Sequence, residues 1–355
     1  MNKIAWKNVK RVLVVRLRSI GDTVLSTPSL TALRRFLPAA QIDILLEDWV
    51  APVLEGFAAV DNILTFKKGD TVSRLKTAQK IRQNKYDVAF NLHGGTTATF
   101  FVRASGAKYR VGFRRSRYNF LYTHLLDSSN DFWRQTEVHS AEHQLALLGA
   151  VGVPVKDKPK SSLTVTETAL NSLAEKFDAA AHSGTFAIRN PQSAFALFHP
   201  AAAFDTKQWA AENFARTAEF LHEKGFAAVA VAAQKEREVL DKLKNFSRVP
   251  ILTFDNLTLP EITALAARAK IFVGNDSGIT HIAAAVNTPS VIIFGSSNIH
   301  NWRPWTNAPN EIVYEKFSCQ PCAGYFCKEF NKPKCILSVT PESVIEAIER
   351  VLAAK

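Results

Sequence analysis

Short β-branched runs alternate with amphipathic stretches twice along this chain, and few architectures accommodate that grammar. In the first half, residues 11–17 read as a strand, a turn follows at 19–22, and a helix is expected over about 23–36. Further strands are predicted at 41–46 and 86–92, with helices at 96–104 and 136–150. The second half repeats the scheme, with strands at 194–198, 226–232, 270–274 and 290–295. Helices are expected at 211–224, 236–244 and 260–269. Strands of this kind, separated by helices, imply parallel sheets covered on both faces. The predicted fold class is therefore α/β: two doubly wound domains facing a central cleft, with ligands at the carboxyl ends of the strands.

The boundaries follow from composition. Residues 1–160 are read as an N-terminal domain and 161–193 as a linker region. Residues 194–338 are read as a C-terminal domain with a Cys-rich loop at 319–335, and 339–355 as a final helix. Stretch 154–162 is rich in Lys, Pro and Ser, and 182–193 holds Gly, Asn and Pro, with a helix near 167–180 between them. A 47% hydrophobic content over 355 residues suits two ordinary domains. No apolar run approaches the roughly 20 residues of a membrane span. The run at 12–17 is interrupted by Arg16 and reads as a first strand rather than a signal peptide, so a cytoplasmic location is expected.

The segment 271–285 carries the strongest chemical signal. A buried strand leads through Asn275 and Asp276 into a helix opened by Ser277 and Gly278, with His281 one turn in. Small and hydroxyl residues leave backbone N–H groups exposed at a helix start, where the dipole favours a phosphate. A second signal lies in 199–209, where three alanines are followed by Thr206 and Lys207, a hydroxyl and a cation suited to a diphosphate. Trp209 is expected to pack on the following helix. Near the N-terminus, Gly21 permits a tight turn and Asp22 follows it. That carboxylate either caps the helix or takes a proton from an acceptor hydroxyl. The turn lacks G-x-G-x-x-G, which argues against a nicotinamide or flavin.

Charge narrows the partners. The net charge of +12 concentrates at 110–117 and 67–82 and favours nucleic acid, anionic headgroups or phosphorylated substrates. No RNP pattern, zinc-finger His pair or helix-turn-helix accompanies it, so nucleic acid is the weaker partner. All four cysteines lie in one stretch, Cys319, Cys322, Cys327 and Cys335. They are read either as reduced thiols in a loop or as ligands of a structural zinc or iron. His139 and His143 match H-x-x-E-H, but five residues without a distant third ligand do not make a metallopeptidase.

Taken in order, these segments resemble glycosyltransferase family 9. The resemblance is carried by S-I-G-D-T-V-L-S-T-P-S-L, N-L-H-G-G, K-Y-R-V-G-F-R, H-S-A-E-H-Q-L-A-L-L-G, H-P-A-A-A-F-D-T-K-Q-W, V-G-N-D-S-G-I-T-H-I-A-A-A and the tail S-C-Q-P-C. It implies the GT-B fold of two Rossmann-like domains, the N-terminal one binding the acceptor and the C-terminal one the nucleotide sugar, and an inverting transfer of heptose from ADP-heptose to the lipopolysaccharide inner core. Asp22 matches the catalytic base. Thr206, Lys207, Asp276, Ser277, Gly278 and His281 match donor-binding positions, and Glu236 is aligned with the acid holding the nucleotide ribose. Gly21, His93, Arg110, Arg114, Arg115 and Arg117 are assigned to a phosphorylated acceptor. Contact is expected with the cytoplasmic face of the inner membrane. No cofactor is required for catalysis, in keeping with the lack of a D-x-D triplet. The competing readings are transfer of another nucleotide sugar, and a nucleotide- or nucleic-acid-binding protein.

Overall fold

The structure is a computed structural model that describes residues 3–182, 194–322 and 324–354. The chain divides into two compact units, Met1–Thr164 and Val165–Lys355. The part of the expected linker at 183–193 lies outside the described residues. The helix Glu167–His182, expected between the halves, packs on the helix Leu259–Arg268 and belongs to the second unit.

The first unit holds β1 (Arg11–Leu17), β2 (Gln41–Glu47), β3 (Asn62–Phe66), β4 (Val88–Asn91), β5 (Tyr109–Phe113) and β6 (His124–Leu126). The second holds β7 (Phe195–His199), β8 (Ala227–Val231), β9 (Ile251–Phe254), β10 (Ile271–Asn275), β11 (Ser290–Phe294) and β12 (Asn310–Tyr314). Both sheets are parallel throughout. Their orders are β3-β2-β1-β4-β5-β6 and β12-β11-β10-β7-β8-β9, the same doubly wound pattern written in opposite directions. In each, the winding reverses beside the first strand: between β1 and β4, and between β7 and β10. Loops leaving the carboxyl ends of those two strands diverge to opposite faces and leave a crevice.

The central strands β1, β4, β7, β10 and β11 are buried almost throughout because helices cover both faces. In the second unit, Phe198, Trp209, Phe214, Leu221, Ile293 and Ile348 join one core. Trp209 packs edge-on against Phe214 at 4.9 Å, as expected, and donates its indole N–H to the Val339 carbonyl at 2.8 Å.

Two expected helices differ from prediction. The stretch 23–36 is broken into Ile20–Val24 and Thr27–Phe36. Ser26 and Thr27 hydroxyls donate to the Thr23 and Val24 carbonyls at 2.6 and 2.7 Å, and Pro28 has no N–H to continue the first helix. The helix expected over 136–150 begins only at Ser140, where His139 and Glu142 form a reciprocal capping box. Strands β3, β5, β6, β9 and β12 and the helix Thr71–Gln83 were not anticipated. They are short or lie away from the apolar centre of each sheet, where periodicity is weak.

A buried polar cluster holds β1's neighbours together at the amino side. The Asp43 carboxylate, fully buried, accepts from Gln41 Nε2 at 2.8 Å, Asn62 Nδ2 at 2.9 Å and the Tyr86 hydroxyl at 2.5 Å. Burial, with this carboxylate, pushes the Tyr86 phenol above its ordinary range. Removing the hydroxyl leaves a buried carboxylate short of a donor, so Tyr86→Phe is expected to cost about 1–3 kcal/mol. The first thermal transition should fall by several degrees; an unchanged midpoint would contradict this role for Tyr86.

Candidate active site

In each unit, several of the residues expected to do chemistry lie where the winding reverses. Consider the first unit. The β1–β2 register slips between Val15 and Leu17, so Arg16 lies at an irregularity near the carboxyl end of β1. Its guanidinium forms an ion pair with Asp22, and Nε donates to the Asp22 carbonyl at 3.2 Å. Nη1 donates to the Leu92 carbonyl at 2.9 Å and lies 3.4 Å from His93 Nδ1. Arg16 therefore joins the turn after β1 to the turn after β4. Burial draws its pKa below the ordinary value, and Asp22 opposes that shift.

Asp22 sits in the first turn of Ile20–Val24 but does not cap it, because the N-cap position is Ser19. Ser19 Oγ instead donates to Asp22 Oδ2 at 3.1 Å. The carboxylate is thus held by a cation on one oxygen and a hydroxyl on the other, with a quarter of the side chain open to solvent. Gly21 is buried beside it.

His93 is fixed by Asn91, the last residue of β4. Asn91 Oδ1 accepts the His93 and Gly94 amides at 3.1 and 2.8 Å, and its Nδ2 donates to the Tyr122 hydroxyl at 2.6 Å. Gly94 completes the turn at φ +89°, a conformation that favours glycine. Burial, reinforced by the Arg16 cation, lowers His93 to about 4, so its ring is neutral near pH 7.

The four assigned arginines separate. Arg110 lies near the amino end of β5 and donates to the Leu121 and Ala107 carbonyls at 2.7 and 2.6 Å, away from the strand ends that carry Asp22. Arg114, Arg115 and Arg117 follow the carboxyl end of β5. Arg114 pairs with Asp127, while Arg117 lies over the Tyr118 ring at 5.5 Å. Arg115 Nη2 contacts His143 Nε2 at 3.0 Å. That histidine stacks on Phe113 at 4.2 Å and lies 2.6 Å from Ser129 Oγ. Burial and then Arg115 lower it to about 4. In the H-x-x-E-H segment, His139 accepts the Ala141 amide and Glu142 accepts the His139 amide. Glu142 also pairs with Lys158, so the segment serves capping and packing.

One basic cavity was not assigned residue by residue from sequence. Arg18, Lys67, Lys68 and Arg74 line a cavity of about 210 Å³ with Glu47, Asp70, His93 and Thr97. It gathers loops from the carboxyl ends of β1 to β4. The basic stretch 67–82 was visible in the sequence, but its convergence with Arg18 and His93 required the sheet order. Arg16 had left a signal too: a charge following the apolar run Val12 to Val15 inside the strand.

The second unit has a matching arrangement. Lys207 Nζ pairs with Asp276 Oδ2 at 2.8 Å, joining the turn after β7 to the turn after β10. Ser297 Oγ, unanticipated, donates to the same oxygen at 2.5 Å. Asn275, the last residue of β10, accepts the Trp209 amide at 3.1 Å and donates to the Pro200 carbonyl at 2.9 Å. Thr206 is buried; its hydroxyl donates to the Gly324 carbonyl at 3.1 Å and accepts from Ser296 Oγ at 2.9 Å. Gly295 permits this closeness, since a Cβ there would fall 2.1 Å from the Thr206 carbonyl oxygen.

Ser277 is the N-cap residue of Gly278–Ala285 but makes no side-chain capping bond. Its hydroxyl lies 3.2 Å from His199 Nδ1, and burial lowers His199 to about 4. The helix start therefore presents N–H groups without a side-chain cap, beside the Lys207 ammonium. His281 is buried one turn further in. Glu236, after β8, accepts the Ala233 amide at 3.1 Å and caps its own turn.

The Cys-rich loop docks on this turn. Gln320 Nε2 donates to the Gly295 carbonyl at 2.6 Å, and the Cys322 amide donates to the Ser296 carbonyl at 3.0 Å. All four cysteines are free thiols, with Cys335 buried and the others half-buried. Burial raises the Cys322 and Cys335 thiols, and the neighbouring cysteines add to the effect. Among the described residues, no three or more His, Cys, Asp or Glu side chains are arranged to hold a metal ion.

Comparison with known proteins bears on the family and the fold. Lipopolysaccharide heptosyltransferase 3 of Escherichia coli is 25% identical over 355 residues, covering 95% of this chain and 97% of the relative. The crystal structure of a family 9 glycosyltransferase from Veillonella parvula superposes with a TM-score of 0.84 at 20% identity, covering 98% of each chain. The structure of E. coli ADP-heptose lipopolysaccharide heptosyltransferase II gives 0.79 at 20% identity, covering 97% and 98%. Both place this chain in the GT-B fold. The profile described as "Glycosyltransferase family 9 (heptosyltransferase)" matches residues 74–332, and the chain belongs to that family.

Proposed function

We propose that this glycosyltransferase moves a heptose from ADP-heptose to a phosphorylated lipopolysaccharide inner-core acceptor at the cytoplasmic face of the inner membrane. The observation that carries the reading is the Lys207–Asp276 pair beside the uncapped start of Gly278–Ala285, at the winding reversal of the second unit. An ammonium has three donors; Asp276 takes one and leaves others for a diphosphate. The names of the two E. coli relatives supply the sugar and the acceptor.

In this reaction Asp22 accepts the proton of the acceptor hydroxyl. The hydroxyl oxygen bonds to the anomeric carbon as the carbon–oxygen bond to ADP breaks, inverting that centre. Lys207 and the helix N–H groups stabilise the charge gathering on the departing diphosphate. Arg16 and Ser19 orient Asp22, and neutral His93 lies on the acceptor side. The basic cavity of Arg18, Lys67, Lys68 and Arg74 holds acceptor phosphates, with Arg115 and Arg117 further along the same sheet edge. Thr206 shapes the donor turn, and Glu236 takes the ribose hydroxyls. None of these steps calls on a metal.

The four thiols lie within one another's electrostatic reach. Thiolates are good ligands for zinc or iron. Cys319, Cys322, Cys327 and Cys335 are not gathered around one point in this structure, so they would have to close on a structural ion, stiffening the loop seated on Ser296 and Thr206.

Asp22→Asn is expected to reduce kcat about 10²–10⁴-fold while ADP affinity, read by calorimetry, stays near wild type. Near-wild-type turnover would remove the base role. Lys207→Ala should raise the donor KM and lower kcat/KM by about 10²-fold or more; unchanged donor kinetics would exclude it from the diphosphate site. Metal analysis of protein purified without chelator should find one zinc or iron per chain, lost in Cys319→Ser/Cys322→Ser together with several degrees of Tm. A metal-free protein with the same Tm as that variant would reject the metal. The whole reading is tested by assaying a panel of nucleotide sugars against core-truncated lipopolysaccharides, with products identified by mass spectrometry. Transfer of another sugar in preference to heptose would replace it.

A further inference from the structure

The helix Thr71–Gln83 carries a side-chain pattern that neither its packing nor the basic cavity uses. Its buried contacts come from Thr77, Ala78 and Ile81. Val72 and Leu75, one turn apart near its start, are nevertheless 60% and 56% exposed. The neighbouring helix Thr96–Ala104 adds Phe100, 38% exposed, and the Arg74 guanidinium lies 5.6 Å from that ring's centroid. Around these apolar groups the Thr71–Gln83 helix carries Arg74, Lys76, Lys80 and Arg82 and no acidic residue.

We propose that this face docks on an anionic lipid bilayer. The apolar side chains enter the headgroup boundary, and Lys76 and Lys80 meet the negative surface. Charge complementarity selects this occupant. A folded protein partner ordinarily engages some 20–30 residues a side, far more than this small patch offers. Nucleic acid would use the cations but leave Val72 and Leu75 without a role. Placement agrees: the helix begins where the loop lining the basic cavity ends, so a helix seated on lipid holds that cavity at headgroup level. The proposal rests on the lipid-linked acceptor of the preceding reading.

The test uses the full chain in co-sedimentation with vesicles of phosphatidylethanolamine and phosphatidylglycerol, against phosphatidylcholine alone. Wild-type protein should bind the anionic vesicles, less so as salt rises. Val72→Ser/Leu75→Gln and Lys76→Glu/Lys80→Glu should each weaken binding about tenfold or more, with unchanged thermal midpoints showing that both fold. Transfer to acylated acceptor in those vesicles should fall in the Val72→Ser/Leu75→Gln variant, while transfer to a deacylated, water-soluble acceptor stays at wild-type level. Equal binding to both vesicle types, or anionic binding untouched by Val72→Ser/Leu75→Gln, overturns the proposal. So does capture of a duplex oligonucleotide that depends on Lys76 and Lys80 when vesicles are not bound. If no arm transfers sugar yet vesicle binding follows the variants, the reaction assigned above fails and the docking surface stands.

Discussion

A parallel sheet brings every strand's carboxyl end to one edge, and nearly everything of chemical interest in this protein follows from that polarity. Where the winding reverses, two neighbouring loops depart to opposite faces and leave a gap into which side chains and backbone N–H groups can point. Both units have that gap, and both pin it in the same way. The strand beyond the reversal ends on a buried asparagine, Asn91 in β4 and Asn275 in β10. Asn91 gathers the amides of its own turn; Asn275 reaches across to the turn after β7. An amide side chain donates and accepts at once, so one residue can fix loop backbone without adding charge to the site.

At both reversals, buried charge comes in a neutralising pair. Arg16 and Asp276 are both buried, and an isolated ion in such a place is unfavourable unless it is paired and hydrogen-bonded. Arg16 has Asp22 and two carbonyls; Asp276 has Lys207 and Ser297. In each pair the more exposed member is the group assigned to the reaction, Asp22 or Lys207. The buried partner thus acts as a mount, holding a working group at the strand ends while its own charge is balanced.

Legibility in the sequence tracked how local each signal was. The small, hydroxyl-bearing turn at 276–278, the small residues before Thr206 and the turn at Asp22 are contiguous motifs, and the structure puts each at a winding reversal. Arg110 was misplaced because charge along a sequence says nothing about strand polarity. Arg110 lies near the amino end of β5, and only four residues later, at Arg114, the chain has passed the strand's carboxyl end. The short outer strands escaped notice because half-exposed segments of three to five residues carry too little periodicity to stand out.

The sequence alone determined the alternation of strand and helix, hence two parallel α/β units, because apolar strands and amphipathic helices can be satisfied only by stacking on one another. It also determined which turns have the small residues, hydroxyls and charges that anions and nucleophiles require. Tertiary structure decided which of those turns meet. Arg16 with His93, Lys207 with Asp276, and Arg18 with Lys67 and Arg74 are separated by tens of residues in the chain. Strand order and a register slip in β1 bring them within reach, and no local pattern encodes such distances.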